Sequence, residues 1–400
     1  MPKLEDALIP MLQSFNENQI SIAKNAPALP IFSDQVIAFL SDLSKEVIKQ
    51  GRAYSDVVTF GYWCRSASIK KLALRYKDDP IRLGKGFAFH IAPSNVPVNF
   101  AYSLVTGLLA GNSNIVKVPS KDFPQVEIIS QAIDSVLENH PTMRQYIQLI
   151  RYDRTSEATR ILSALCDARI IWGGDSTVLD VRTNPIPPRA TEIAFADRNS
   201  FAIVDAHSYL EAEDKASFAQ NFYNDTYFSD QNACTAPRLI AWIGPESTCK
   251  KAQQLFWSSL KEIVDEYELA PVHAVGKLTA LYQCAAHRTA KLSNTINEPK
   301  IIRVEIDELD SSLFNDRYHS GFFFEYCTED LSDLLSICDD PSVQTVSYFG
   351  DIADSIANYI LQSGVAGVDR IVPIGKTMDF DLTWDGMDLI RQLSRVVIKS

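Results

Sequence analysis

FAFHIAPSNVPVNFAYSLVTGLLAGNSNIVKV, residues 87–118, changes its hydrophobic period from strand to loop to helix and back to strand, and those changes decide the fold. Residues 87–91 form a short apolar run rich in strand formers, the pattern of a strand buried on both faces. In Ala92-Pro93-Ser94-Asn95-Val96-Pro97 two prolines bracket an asparagine, so the ladder cannot continue and the chain leaves the strand in a stiff loop. From Val98 to Leu109 the apolar spacing is helical, and Gly111-Asn112 is a C-terminal stop. Residues 114–118 are again a strand. A strand, crossover helix and strand in this order are parallel and right-handed. Their loops lie at the carboxyl ends of the strands, where open α/β sheets bind ligands.

Outward from this unit the same alternation continues. Residues 1–80 read as helical, with amphipathic segments over 34–51 and 56–75 that cover the sheet. Pro124 opens a helix that turns Val126, Ile129, Ile133 and Val136 inward. A strand over 147–152, a helix over 156–167 and a strand over 168–172 follow, the last ending in Gly173-Gly174. This is the pattern of a doubly wound parallel sheet. Residues 182–192 hold three prolines without a period and read as loop. After a strand over 201–205 the composition shifts at the acidic run 211–214, which starts a helix towards Tyr227. Strands over 238–243, 301–306, 322–326 and 343–348, with helices over 246–267 and 272–289, make a second α/β region of similar build. No sequence repeat links the two.

Composition excludes several classes of function. With 46% hydrophobic and 22% charged residues the chain is an ordinary globular protein, not a disordered or fibrous one. A net charge of -12 argues against a nucleic-acid or anionic-membrane partner. The amino terminus, MPKLEDALIPMLQSF, lacks the features of a signal peptide, and no apolar run is long enough to span a bilayer; the expected location is cytoplasmic. Seven cysteines without paired spacing fit reduced thiols, and the absence of CxxC and HExxH patterns predicts no metal site.

Cys234, in SDQNACTAPRLIAW, sits at a helix end directly before a strand. Ala233, Thr235 and Ala236 are small enough to leave its sulfur approachable, and Pro237 fixes the following turn. That setting, unlike those of the other six cysteines, marks it as a nucleophile rather than a buried small hydrophobe. His207 and His319 have no neighbours that support acid–base work. Residues 344–346 and 370–375 read as strand and strand-end turn.

Three segments resemble the acyl-CoA reductase (LuxC) family, the fatty-acid reductases of bacterial bioluminescence, within the aldehyde dehydrogenase superfamily. They are HIAPSNVPVNFAYSLVTGLLAGNSNIVKVPSK, DQNACTAPRL around Cys234, and the closing SGVAGVDRIVPIGKTMDFDLTWDGMDLIRQLSR. The resemblance implies an aldehyde dehydrogenase-like α/β fold of two doubly wound, Rossmann-like domains with parallel-rich sheets. A helical region over 1–80 packs on a dinucleotide-binding domain over 81–205, completed by 370–400, and residues 206–369 form the catalytic cysteine domain.

It also implies roles. Cys234 resembles the catalytic thiol, and Asn95 resembles the asparagine whose amide, with the backbone N–H of Cys234, forms the oxyanion hole. Lys117 stands where the superfamily contacts the adenosine ribose. Where NAD-preferring relatives often carry a glutamate this chain has Ser120, followed by Lys121, a set that accepts a 2′-phosphate and favours NADPH. Gly173 and Gly174, followed by Asp175-Ser176, resemble the turn that lets the backbone approach the dinucleotide. At the place of the glutamate that activates water in the acid-forming members stands Ala194, with Glu192 two residues away as a minor candidate.

The implied reaction is NADPH-dependent reduction of an acyl-CoA, or acyl-carrier, thioester to the aldehyde through an acyl-cysteine. The alternatives are reduction of an acyl phosphate, oxidation of an aldehyde, a cysteine acyltransferase or thioesterase without nicotinamide, and a non-catalytic scaffold. A homo-oligomer is compatible with the resemblance.

Overall fold

The structure, a computed structural model, describes residues 12–153, 155–288, 290–292 and 298–398. Of the amino-terminal stretch compared with a signal peptide, residues 1–11 lie outside that description, as does Thr289, the last residue of the helix expected over 272–289. The chain divides into two compact units, Met1–Ala196 with Asp381–Ser400, and Asp197–Phe380.

In the first unit, β1 (Leu12–Ser14), α1 (Glu17–Asn25), α2 (Asp34–Gln50), α3 (Ser55–Trp63), α4 (Ser66–Ala73) and β2 (Arg82–Gly84) lead into the organising stretch. That stretch is β3 (Phe87–Ile91), α5 (Asn99–Leu109) and β4 (Ser113–Lys117). It is followed by α6 (Pro124–Leu137), β5 (Ile147–Arg151), α7 (Ala158–Leu165), β6 (Ala168–Trp172), α8 (Asp175–Arg182) and β7 (Thr191–Phe195). The six-stranded sheet runs β1-β5-β4-β3-β6-β7, and every pairing in it is parallel. All of β3 is buried, as its continuous apolar run requires, and so is nearly all of α5. The stop after α5 works as its glycine predicts: Gly111 has φ +88, and a Cβ there would lie 2.0 Å from the Leu29 carbonyl oxygen.

Three readings change. The helix expected over 56–75 is two, because Arg65 turns extended (ψ 140) between α3 and α4, with its guanidinium 4.0 Å from the centre of the Tyr62 ring. β1 adds an edge strand to a region that reads as wholly helical. β7 begins inside the proline-containing stretch that reads as loop, once Ala190 has closed a turn onto Pro187.

The second unit holds β8 (Asn199–Asp205), α9 (Ala206–Glu211), α10 (Lys215–Asp225), β9 (Pro237–Ile243), α11 (Glu246–Val264) and α12 (Pro271–His287). β10 (Ala290–Leu292), β11 (Ile302–Ile306), β12 (Phe322–Thr328), α13 (Leu335–Cys338), β13 (Val343–Phe349), α14 (Ala353–Ser363) and β14 (Arg370–Pro373) complete it. Its seven-stranded sheet runs β10-β11-β12-β9-β8-β13-β14, antiparallel only at β10. Strand alternation splits the apolar residues between two faces: Phe201, Ile203, Leu239 and Phe324 form one core, and Ala202, Val204, Trp242 and Phe323 the other. The acidic run begins with Glu211, the last residue of α9, and ends at Asp214, which caps α10 by accepting from the Ser217 amide at 2.8 Å.

β8 and β14, expected at the borders of the first region, both pair with β13 in the second sheet. A short apolar run identifies a strand but not its neighbours, so the sequence cannot assign it to a sheet. The return segment of the first unit carries a hairpin of β15 (Thr383–Trp384) and β16 (Met387–Asp388), then α15 (Leu389–Leu393) and β17 (Ser394–Val396), which pairs antiparallel with β2.

Candidate active site

Cys234 lies in a loop built by backbone hydrogen bonds. After α10 the chain makes two consecutive left-handed steps, Asp230 (φ 51) and Gln231 (φ 56), while the Gln231 amide donates back to the Thr226 carbonyl at 2.8 Å. A tight turn closed by the Ala236 amide on the Ala233 carbonyl, 3.1 Å, then carries Cys234 and Thr235 at its corner. Ser200 of β8 donates to the Cys234 carbonyl at 2.7 Å, and the Thr235 hydroxyl reaches the Met378 sulfur at 3.5 Å.

Cys234 is half-buried, whereas Cys64, Cys166, Cys249, Cys284 and Cys338 are buried, and none of the seven is in a disulfide. Burial pushes the thiols of Cys166 and Cys338 up to about 12 and raises those of Cys64 and Cys284. Those four are inert small hydrophobes in the sense expected of most cysteines.

Two residues inside the DQNACTAPRL motif, passed over in the sequence, hold this loop. Gln231 is fully buried. Its amide donates to the Pro237 and Phe322 carbonyls at 3.0 and 3.1 Å, and its side-chain oxygen accepts from the Gly321 and Phe322 amides at 3.0 and 3.1 Å. Arg238 answers it, donating to the Gln231 carbonyl at 2.9 Å and the Tyr318 carbonyl at 3.0 Å. Buried Lys277 of α12 donates to the Ser320 carbonyl at 2.6 Å, and burial pushes its ammonium down to about 7. A long polar chain beside a candidate nucleophile is the signal that would have found Gln231 and Arg238.

The segment after β14 belongs to the same neighbourhood. Asp225, at the end of α10, accepts from the Gly375 and Thr377 amides at 2.6 and 3.1 Å. The Arg370 guanidinium donates to the Thr377, Lys376 and Asp379 carbonyls. The turn that carries Met378 is therefore fixed at both ends.

The remaining predicted residues belong to the first unit. Asn95 is exposed in the loop after β3, and its side-chain amide appears in no hydrogen bond among the described residues, so it is not a turn residue satisfied by its own backbone. Lys117 ends β4 opposite Ile91 of β3, and the Ala92 amide donates to its carbonyl at 3.0 Å. Gly173 and Gly174 follow β6, whose Ile171 is the other neighbour of Ile91. The three loops thus emerge side by side at the carboxyl edge, and β3 and β6, whose onward connections run in opposite directions, form the switch point of the sheet.

Lys117 and Ser120 are brought together, Nζ to Oγ 3.3 Å. The Lys117 ammonium also lies 5.4 Å from the centre of the Tyr152 ring, and burial lowers its pKa. Lys121 stacks over Phe123 at 5.1 Å. Among the described residues neither ammonium has a carboxylate partner, and Asp122 between them and the helix is turned to Arg151 at 3.0 Å. Two ammonium groups and a hydroxyl without a counterion fit an anionic cofactor group. Gly174 caps α8 in an extended conformation (φ -64, ψ 165), so this position does not demand glycine for its backbone angles.

Glu192 faces a different task. It is the register partner of Arg169 on β6, accepts from its Nε at 2.8 Å and from its Nη2, and accepts from Arg182 Nε at 2.7 Å. Burial raises its carboxyl, but the hydrogen bonds from Arg182 and Arg169 outweigh that and hold it below the ordinary range. A general base for water needs the opposite shift. His319 hydrogen-bonds its neighbour Ser320 at 2.9 Å and is pushed down to about 4, by burial first and then by His273 and Arg238. His207 is exposed on α9.

Comparison with known proteins gives this geometry a context. The model of the acyl-CoA reductase (LuxC) family matches residues 69–271, just over half the chain. Relatives include the long-chain acyl-protein thioester reductase of Vibrio harveyi, 24% identical over 78% of this chain and 63% of its own. That of Aliivibrio fischeri is 23% identical over 78% and 64%. The chain therefore spans a little less than two thirds of the length of these relatives. Among solved structures, aldehyde dehydrogenase 21 of Physcomitrella patens superposes with a TM-score of 0.67 at 12% identity, covering 95% of this chain and 88% of that one. The glyceraldehyde-3-phosphate dehydrogenase of Methanocaldococcus jannaschii, solved with NADP, gives 0.65 at 12% identity over 99% and 94%. The fold is aldehyde dehydrogenase-like.

Proposed function

Because the chain belongs to the acyl-CoA reductase (LuxC) family, we propose that it reduces a long-chain acyl thioester, presented by CoA or by a protein thiol, to the aldehyde. The observation that carries this reading is the setting of Cys234: a half-buried thiol at the corner of a braced turn, flanked by small residues, while the thiols of Cys64, Cys166, Cys284 and Cys338 are raised by burial. The names of the relatives support the acyl class.

In the proposed reaction the Cys234 thiolate attacks the thioester carbonyl. The carrier thiol leaves, and the acyl group stays on sulfur. Asn95 donates its amide to the oxyanion, with the Cys234 backbone N–H as the second donor. Lys117, Ser120 and Lys121 would hold the phosphorylated ribose of NADPH, and Gly173 and Gly174 would let the backbone approach the dinucleotide. The nicotinamide, when bound, supplies hydride. Collapse of the thiohemiacetal at Cys234 then releases aldehyde and returns the thiol. Glu192, ion-paired to Arg169 and Arg182, is a poor base for activating water, which suits a reductase better than a thioesterase.

The deciding assay follows NADPH oxidation over a panel of acyl-CoA and acyl-carrier thioesters, with Cys234→Ala as control. Chain-length-dependent oxidation that disappears in the variant is the expected result. Turnover that survives the substitution would sink the mechanism, and acyl transfer without NADPH oxidation would favour an acyltransferase.

A further inference from the structure

Arg238 is a buried cation that hydrogen-bonds no carboxylate among the described residues. Its residue is 8% exposed. Two guanidinium nitrogens are spent on the carbonyls of Gln231 and Tyr318, and Nε is buried without an acceptor among the described residues. Carbonyl dipoles orient a guanidinium, but they do not neutralise it, and an uncompensated buried charge costs several kcal/mol. Arg317 opposes the guanidinium, and the neighbourhood of His319 combines the cationic or neutral groups His273, Lys277 and Arg238 with one carboxylate, Asp230. Asp230 accepts the Tyr267 hydroxyl at 2.6 Å. The group that favours the charged form of Arg238 is Cys234.

The brace is reciprocal. The Gln231 side chain reaches forward to the Pro237 carbonyl, and the Arg238 side chain reaches back to the Gln231 carbonyl, so the loop between them is tied at its base from both sides. We propose that Arg238 is the positioning residue of Cys234: fixed across the base of the cysteine loop by two carbonyls, its guanidinium is the counter-charge that keeps the thiol ionised. This rests on reading Cys234 as the nucleophile and deepens it, since the activating group is a permanent cation rather than a base that must first lose its proton.

The test is the pH profile of Cys234 alkylation by iodoacetamide, read by peptide mass spectrometry because Cys327 is also half-exposed. In the unsubstituted protein the midpoint is expected below the ordinary thiol value of about 8.5. In Arg238→Gln it moves up by about one unit, so that the rate at pH 7 falls roughly tenfold, and Arg238→Lys, which keeps the charge, restores most of the rate. A natively folded Arg238→Gln protein with an unchanged midpoint would overturn the inference, as would a lysine variant that behaves like the glutamine one. Should Arg238→Gln fail to fold, the unsubstituted protein still decides, because a midpoint at or above 8.5 is incompatible with the proposal. Alkylation needs no substrate. A low midpoint in a protein that does not oxidise NADPH would therefore leave this inference standing and sink the reductase reading alone.

Discussion

His90 Nε2 lies 3.0 Å from Asn114 Oδ1, and the two are the middle of a buried polar chain that crosses the organising stretch. Trp172 Nε1 donates to Ser103 Oγ at 2.9 Å, and Ser103 Oγ lies 2.8 Å from His90 Nδ1. The Asn114 amide nitrogen is spent on the Asn112 and Tyr146 carbonyls. Asn114 Oδ1 must therefore accept, His90 carries its proton on Nε2, and Ser103 donates to Nδ1. Strands β6, β3 and β4 and helix α5 are tied through one neutral imidazole.

That imidazole predicts an acid-sensitive stability. Burial pushes His90 down to about 4, against a smaller upward pull from Asn114, whereas in the unfolded chain it titrates near 6.5. The unfolded state binds the extra proton between those values, so stability is complete above about 6.5 and is lost as pH falls towards 4, by on the order of 3 kcal/mol. Asp225 works the other way: burial raises its carboxyl to about 6, so its contribution declines as pH rises through that value. The overlap is removed by comparing the protein with His90→Gln. Their difference in unfolding free energy should shrink as pH falls from 7 to 4, and a pH-independent difference would refute the assignment.

The bounds of β3, α5 and β4 were legible because each is set by local physics: an apolar run buried on both faces, prolines that end a ladder, a glycine with positive φ. The polar chain through His90 was not. Its members are separated in sequence, and only the placement of β6 beside β3 brings Trp172 to Ser103. The same division holds at the site. Small neighbours single out Cys234 as a candidate, whereas the contacts of Gln231 and Arg238 depend on carbonyls at 318 and 322 that a sequence cannot place.

Asn95 offers a test in which stability and catalysis separate. Because it is exposed and its amide makes no hydrogen bond among the described residues, Asn95→Ala should change unfolding free energy by no more than about 0.5 kcal/mol. If the amide meets the oxyanion, kcat for thioester reduction falls by roughly 10²–10³ with little change in KM. Thermal unfolding and steady-state kinetics on one preparation measure both. A loss of stability without a loss of kcat would return Asn95 to a structural role.

Cofactor choice can be read at Ser120. Its hydroxyl lies 3.3 Å from the Lys117 ammonium, close enough for a glutamate at that position to take the ammonium and repel a phosphate. Ser120→Glu should weaken NADPH binding by about tenfold or more, roughly 1.4 kcal/mol, and leave NADH binding no weaker. Calorimetric titration of both dinucleotides checks this, and an equal loss for the two would show that the position does not meet the 2′-group.

Glu192→Gln separates a base from a counterion. The Arg169 side chain is almost wholly buried, and Glu192 is its carboxylate partner, shared with exposed Arg182. Removing that charge leaves a buried guanidinium with neutral acceptors only, among them the carbonyls of Val181 and Asn184 and the Ser163 hydroxyl. The expected cost is about 3–5 kcal/mol in unfolding free energy. A second change, Arg169→Met, should recover part of it by removing the orphaned charge, which a double-mutant cycle measures. Hydrolysis of the acyl group on Cys234, followed by mass spectrometry under conditions where both proteins are folded, should proceed at the same slow rate with either residue at position 192. A variant that hydrolyses its acyl-enzyme many-fold more slowly would mean that Glu192 leaves its arginines to activate water, and the slow deacylation on which the reductase reading relies would need another cause.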